Sequence, residues 1–339
     1  MKTLDCTRFF IFGLVAAILG LQPVLADEVN IYSYRQPELI QPLLDEFTNR
    51  TGIETNIIFL QKGMIARLEA EGTRSPADVI LTTDISRLQN LVNAGLTQLV
   101  DSDILKQNIP ANFRDPEGEW FALTLRARIV YASNERVSEP VLTYEELANP
   151  EWNGRICTRS GTHAYNLALI SSVMNHHGMD QTKAWLQGVR DNLARKPQGN
   201  DRAQVKAIWA GECDISLGNT YYMGLMVSNE EQKAWADAVR IIFPTFVDGG
   251  THVNVSGMAM AKHSPNESNA LQFMEFLSSM DAQQIYAEVN HEYPVHPDVA
   301  LSALVESWGT FEPDSLNLDT IGANREQALQ IVNEIDFDG

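Results

Sequence analysis

Apolar positions in the chain follow two alternating periods. Residues 29–33 read as a short buried strand, and from Pro37 onward Leu39, Ile40, Leu43, Leu44 and Phe47 fall on one helical face that stops at Gly52. Proline is tolerated at the first position of a helix, and glycine ends helices because it accepts the left-handed conformation. The same reading predicts strands at 54–60 and 77–82 and helices at 64–71 and 85–93, the last closed by Gly95. After Trp152 the grammar restarts. It places a strand at 155–159, a helix at 165–177 ending at Gly178, another at 181–192, a helix at 201–210 stopped by Gly211, and a strand at 213–217. Repeated strand–helix units imply a mostly parallel sheet covered on both faces, so the fold class is α/β with two blocks facing a cleft. Segments 123–132 and 251–261 are apolar and strand-like, and are the expected connections between the blocks.

Ligands of open α/β sheets bind beyond the carboxyl ends of strands. Three polar loops occupy such places: Tyr34-Arg35-Gln36, the segment 160–165, and Gly218-Asn219-Thr220-Tyr221-Tyr222. The adjacent phenols of the last loop are the most informative feature. In a strand they would point to opposite faces, whereas at the first turn of a helix they sit roughly 100° apart and can converge. Phenolates are hard anionic oxygen donors suited to hard cations such as ferric iron. The plain alternative is a pair of half-buried packing tyrosines.

The first 26 residues have the form of a secretory leader. Lys2 and Arg8 precede a short apolar run at 9–21, and Val24-Leu25-Ala26 offers small residues before a cut near Ala26. Export leaves Cys157 and Cys213, either as one disulfide, which an oxidising compartment favours, or as two buried thiols. A formal net charge of −19 argues against nucleic acid or an anionic membrane surface as partner.

At this point the chain resembles the periplasmic ferric-iron-binding proteins, the substrate-binding components of ATP-driven iron importers. The resemblance rests on Val29-Asn30-Ile31-Tyr32-Ser33-Tyr34-Arg35-Gln36-Pro37, Ser75-Pro76-Ala77-Asp78-Val79 and Leu125-Arg126-Ala127-Arg128. It is carried further by the run from Asn192 to Arg202, by the loop ending in Tyr221-Tyr222, and by His291-Glu292-Tyr293-Pro294-Val295. It implies the two-lobed periplasmic-binding-protein fold, with lobes joined by crossing strands. The expected division is 27–123 with about 252–300 as the N-terminal lobe and 124–251 with about 301–339 as the C-terminal lobe. It also implies a monomer that is not an enzyme, binds Fe(III) in the periplasm and hands it to an inner-membrane permease with its ATPase.

Carried over residue by residue, the metal ligands are Tyr165, Tyr221 and Tyr222. Many relatives have a histidine after the first strand where this chain has Gln36, a departure that favours three tyrosines plus a small synergistic anion such as carbonate. Arg35 and Arg126 are candidates to offset the anion's charge, and the backbone amides of Ser160, Gly161 and Thr162 to cradle it. Tyr34, Gln36 and His163 are further residues near the same place, while Arg195 and Arg202 read as structural.

Other functions make different demands. An organic cation bound by the same fold would want acidic residues and aromatic walls, and an oxyanion would want free donors. A secreted hydrolase would have to use Ser160 and His163, but the chain lacks a G-x-S-x-G elbow, an H-E-x-x-H motif and a P-loop.

Overall fold

A computed structural model describes residues 27–60, 62–138 and 142–339; the expected leader at 1–26 lies outside the described residues. The strands are β1 (Glu28–Ser33), β2 (Glu54–Phe59), β3 (Val79–Thr82), β4 (Phe121–Ser133), β5 (Ile156–Cys157), β6 (Ile215–Asn219), β7 (Val239–Ile242), β8 (Val253–Met260) and β9 (Tyr293–Pro294). They run in the order β2-β1-β3-β8-β4-β6-β5, with β7 and β9 also paired to β4. The sheet is mixed. β1 lies parallel to β2 and β3, and β5 parallel to β6, while every antiparallel pair involves β4 or β8.

These two strands are the expected connections, and β4 shows how one strand serves both blocks. Its first part, Phe121–Ala127, pairs with β8, and its last part, Arg128–Ser133, pairs with β6 and β7. Side chains alternate faces along a strand. Phe121, Leu123 and Leu125 accordingly join the core built on β1, β3 and β8. Beyond them Ala127, Ile129 and Tyr131 enter one core of the second block, and Val130 and Ala132 enter another. On the opposite face at the crossover, Thr124, Arg126 and Arg128 form a polar row, and all three are buried.

The helical expectations hold where local signals are strong. The helix Pro37–Thr51 begins on its proline and ends on Gly52 at φ 74°, whose N–H donates to Thr48 O at 2.8 Å. The helix Ala164–Asp191 is interrupted at Gly178 (φ 76°, ψ 171°), so two helices abut there, as the glycine predicts. Beyond residue 261 the sequence reading assigned no elements. The structure has helices at Glu267–Ser278, Met280–Asn290, Leu318–Ala323 and Arg325–Glu334. Leu318 and Ile321 pack into the first core, whereas Ala328, Ile331 and Val332 pack into the second block. Among the described residues no helix is long and apolar enough to cross a membrane.

Cys157 and Cys213 form a disulfide across a sequence separation of 56. In the chain-entropy model a loop of that size stabilises by roughly 4 kcal/mol through the unfolded state. Cys157→Ser/Cys213→Ser should therefore lower the urea unfolding free energy by about 2–4 kcal/mol. A loss below about 1 kcal/mol would mean that the unfolded chain stays compact without the bridge.

Candidate metal centre

The phenols come together because two helices start at one place. Tyr221 and Tyr222 are the first residues of the helix Tyr221–Val227, which follows directly on β6. Gly218 in β6 is required by its neighbour: a Cβ there would collide with the Tyr131 ring, whose hydroxyl donates to Asn219 O at 2.7 Å. Tyr165 is the second residue of the helix Ala164–Asp191, and the Tyr165 N–H donates to Nδ1 of the capping residue His163 at 3.2 Å. The Tyr165 and Tyr221 hydroxyls lie 3.2 Å apart, and the Tyr221 and Tyr222 ring centroids 4.2 Å apart. All three phenols line a cavity of about 380 Å³. Tyr34, Arg35, Gln36, Arg126 and Glu292 line it too.

Burial pushes the Tyr221 hydroxyl well above the ordinary phenol range, and the neighbouring Tyr165 and Tyr222 phenols add to this. Tyr222 is raised for the same leading reason, with Tyr165 the next cause. Without a cation these hydroxyls are neutral. Three guanidinium carbons stand around the Tyr165 ring, with Arg159 at 5.2 Å, Arg126 at 5.5 Å and Arg128 at 6.0 Å from its centroid. Among the described residues no three His, Cys, Asp or Glu side chains gather into a metal-binding cluster.

The arginines differ in what they already hold. Arg35 is buried and ion-paired, its Nη2 lying 2.8 Å from Glu292 Oε2 and also donating to Ser256 Oγ at 2.5 Å. Thr124 Oγ1 donates to the same Glu292 oxygen at 2.5 Å. Arg126 donates to Ser256 Oγ at 3.1 Å and to the Thr83 carbonyl.

The loop expected to cradle an anion is placed elsewhere. The Gly161 N–H donates to Asp338 Oδ1 at 2.7 Å, and the Ser160 hydroxyl to Asp338 Oδ2 at 2.5 Å. The Thr162 hydroxyl lies 2.8 Å from Ser160 Oγ. Phe337 packs where a side chain on Gly161 would stand. Ser160, Gly161 and Thr162 thus gather around a carboxylate of the chain itself and do not line the cavity.

The remaining candidates sort by position. Gln36 and Tyr34 are on the cavity wall, and so is Arg202, which the sequence reading took as structural. Arg195 instead pairs with Glu212 at 2.5 Å. His163 does not line the cavity. Its ring meets the Tyr165 ring edge-on with centroids 4.6 Å apart, and burial first, then Arg159, hold its imidazole down at about 3.

Sequence reasoning missed a supporting residue. Asp201, wholly buried at the first position of the helix Asp201–Trp209, accepts from Arg128 and Arg159, each at 3.0 Å, and from the Asn219 N–H at 3.0 Å. Arg128 also donates to Asn166 Oδ1 at 2.6 Å. One carboxylate therefore ties β4, the exit of β5, the end of β6 and the helix of Tyr165. The available signal was an acid at the first helical position after Asn200, a favourable place for negative charge.

Residues 74–311 match the family model described as bacterial extracellular solute-binding protein. The chain is 43% identical over 311 residues to iron uptake protein A1 of Synechocystis sp., covering 91% of this chain and 86% of that one. Its structure is similar to that of Mannheimia haemolytica ferric iron-binding protein A in an open conformation, with TM-score 0.89 and 52% identity over 93% of this chain and 100% of the other. It is likewise similar to a Trichodesmium protein in complex with iron and citrate ligands, with TM-score 0.88 and 40% identity over 91% of this chain and 99% of the other.

Proposed function

Since this chain belongs to the bacterial extracellular solute-binding proteins, we propose that it is a periplasmic ferric-iron-binding protein that captures Fe(III) on Tyr165, Tyr221 and Tyr222 and delivers it to the permease of an ATP-driven importer. The single observation that carries this reading is the 3.2 Å approach of the Tyr165 and Tyr221 hydroxyls beside Tyr222 in one cavity. Hydroxyls whose protons are held tightly by burial favour a trivalent cation, because only a strong local charge makes phenolate the better state at neutral pH. Each proton must leave as the cation arrives, so loading is opposed by acid.

Three phenolates formally neutralise Fe(III), and an added carbonate or carboxylate gives the cluster a net negative charge that is costly to bury. Arg126 stands ready to offset it. Its side chain is 2% exposed and its guanidinium lies beside the Tyr165 ring. The lobe division expected from the sequence places the phenols on one side of the crossing strands β4 and β8 and the Tyr34-Arg35-Gln36 loop on the other. Closure around the cation would bend these two strands. The relatives' names, which speak of iron uptake and ferric binding, favour the same cargo.

The competing readings fit the cavity less well. An organic cation would meet Arg35, Arg87, Arg126 and Arg202 on the walls, against the carboxylate of Glu292, which is already paired. A hydrolase would need Ser160 activated by His163. Instead Ser160 is bonded to Asp338 and His163 Nδ1 caps a helix.

Protein purified from its native compartment should carry iron and show the visible absorption of tyrosinate-to-iron charge transfer. Metal analysis and a spectrum check this together. A colourless protein that takes up no ferric iron after chelator stripping would reject the proposal.

A further inference from the structure

We propose that His291 is a positioning residue for the phenol pair. Its ring is a wedge that seats the helix Tyr221–Val227 at Gly224, so that the placing of Tyr221 and Tyr222 depends on the segment carrying it. The effect on cargo rests on the ferric reading, while the wedge itself stands on the packing.

The backbone at residue 291 asks for glycine. His291 ends the helix Met280–Asn290 in the left-handed conformation, at φ 55° and ψ 31°. Helices that end in this way mostly use glycine, because a Cβ there crowds the following carbonyl oxygen. Among the described residues, Asp336 is the one other non-glycine at positive φ. The side chain adds a second cost, since its Nδ1 is buried with no hydrogen-bond partner among the described residues. Leaving a buried nitrogen unpaired is unfavourable. Strain of this kind survives where the surroundings hold a residue in place, and it collects at functional sites.

What the ring does is visible at Gly224. A Cβ on Gly224 would collide with Cδ2 and Cγ of His291 and stand 2.8 Å from its Cβ. Cβ and Cγ are the near atoms of the side chain and cannot swing aside, so the contact leaves no room for a methyl group. Gly224 follows Tyr221 by three positions and therefore lies on the same side of the helix. Burial holds the imidazole below the ordinary histidine range, so the ring packs there uncharged at neutral pH.

The contact also joins the two blocks. Tyr286, Tyr293 and Val295, on either side of His291, belong to the first core, and Tyr293 pairs with Leu125 of β4. Met223 and Met226, on either side of Gly224, belong to a core of the second block. The neighbours of His291 are fastened to the first block as well. Asn290 donates to the Leu39 carbonyl at 3.2 Å, and Glu292 holds Arg35. Any movement of residues 290–292 with the first block is thus passed through one ring to the helix that carries the phenols. Site geometry has to be held to within about 0.5 Å, so a slight turn of this helix is felt at the metal.

The mature protein, stripped of iron, is titrated with ferric ion against a competing chelator while the tyrosinate-to-iron absorption is followed, and thermal unfolding is measured separately. His291→Gly keeps the left-handed backbone and removes the ring. It should weaken ferric binding by about 10–100-fold, the usual loss for a residue that supports a metal ligand, and move the absorption maximum, with little change in melting temperature. Gly224→Ala should weaken binding to a similar extent. Combined with His291→Gly it should add nothing, because the methyl group then occupies space the ring has left. Losses that multiply in the double variant overturn the wedge, and so do unchanged affinity and absorption in His291→Gly. If Gly224→Ala does not fold, folding restored by His291→Gly supports the wedge, and folding not restored overturns it.

If the wild-type protein binds no ferric iron, the cargo reading fails and the iron-free protein decides the wedge by itself. Amide hydrogen exchange at residues 225–228 should then be at least several-fold faster in His291→Gly than in the wild type. Unchanged exchange overturns the wedge.

Discussion

Tyr221→Phe and Tyr222→Phe are each expected to lower ferric affinity by more than the roughly 10–100-fold typical when a residue that merely supports a metal ligand is lost. Each substitution removes a donor oxygen outright while leaving the ring, and with it the 4.2 Å packing of the pair, in place. The cost to folding should be small. Tyr221 gives up one hydrogen-bonded approach to Tyr165, worth about 1 kcal/mol, and is relieved of burying a hydroxyl. A competition titration against a chelator and a thermal melt separate the two effects: affinity should collapse with little change in melting temperature. Tight iron binding retained by both variants would remove the pair from the ligand set, and a melting temperature lowered by tens of degrees would mean that the hydroxyls serve the fold.

The second large effect is on stability. Asp201→Ala should destabilise the protein by about 3–5 kcal/mol, because removing one partner of a buried ion pair strands the other. Arg128, 2% exposed, would keep only the side-chain oxygens of Asn166 and Asn219, Arg159 would lose its carboxylate, and the Asn219 N–H its acceptor. Urea unfolding measures this. Asp201→Leu combined with Arg128→Met and Arg159→Met should recover a good part of the loss, since replacing a whole buried ion triad with apolar groups is often neutral. A single-variant loss under about 1 kcal/mol would show that water reaches Arg128 and solvates it.

What could be read from the sequence was what local signals determine. Gly52 and Gly178 act on their own backbone, and Tyr221 and Tyr222 are neighbours at a helix start, so their convergence needs nothing distant. The crossing strands were legible as long apolar runs. The mixed direction of the sheet was not, because pairing depends on where β4 and β8 return from. The polar scaffold was hidden for the same reason. Asp201 meets partners 73, 42 and 18 residues away, and Asp338 meets Ser160 and Gly161 across 178 and 177 residues. A loop of free amides at 160–162 looks, from sequence, like a place for a small anion; only the folded chain reveals which anion takes it. The ion pair of Arg35 was hidden in a similar way, since Glu292 lies 257 residues further on.

The Asp338 carboxylate, seated on Ser160 and Gly161, has a bearing on reuse. A segment fastened by an acid that is covalently part of the chain keeps its shape after any diffusible guest departs. The stretch leading into Tyr165 therefore need not be rebuilt before the cavity is filled again.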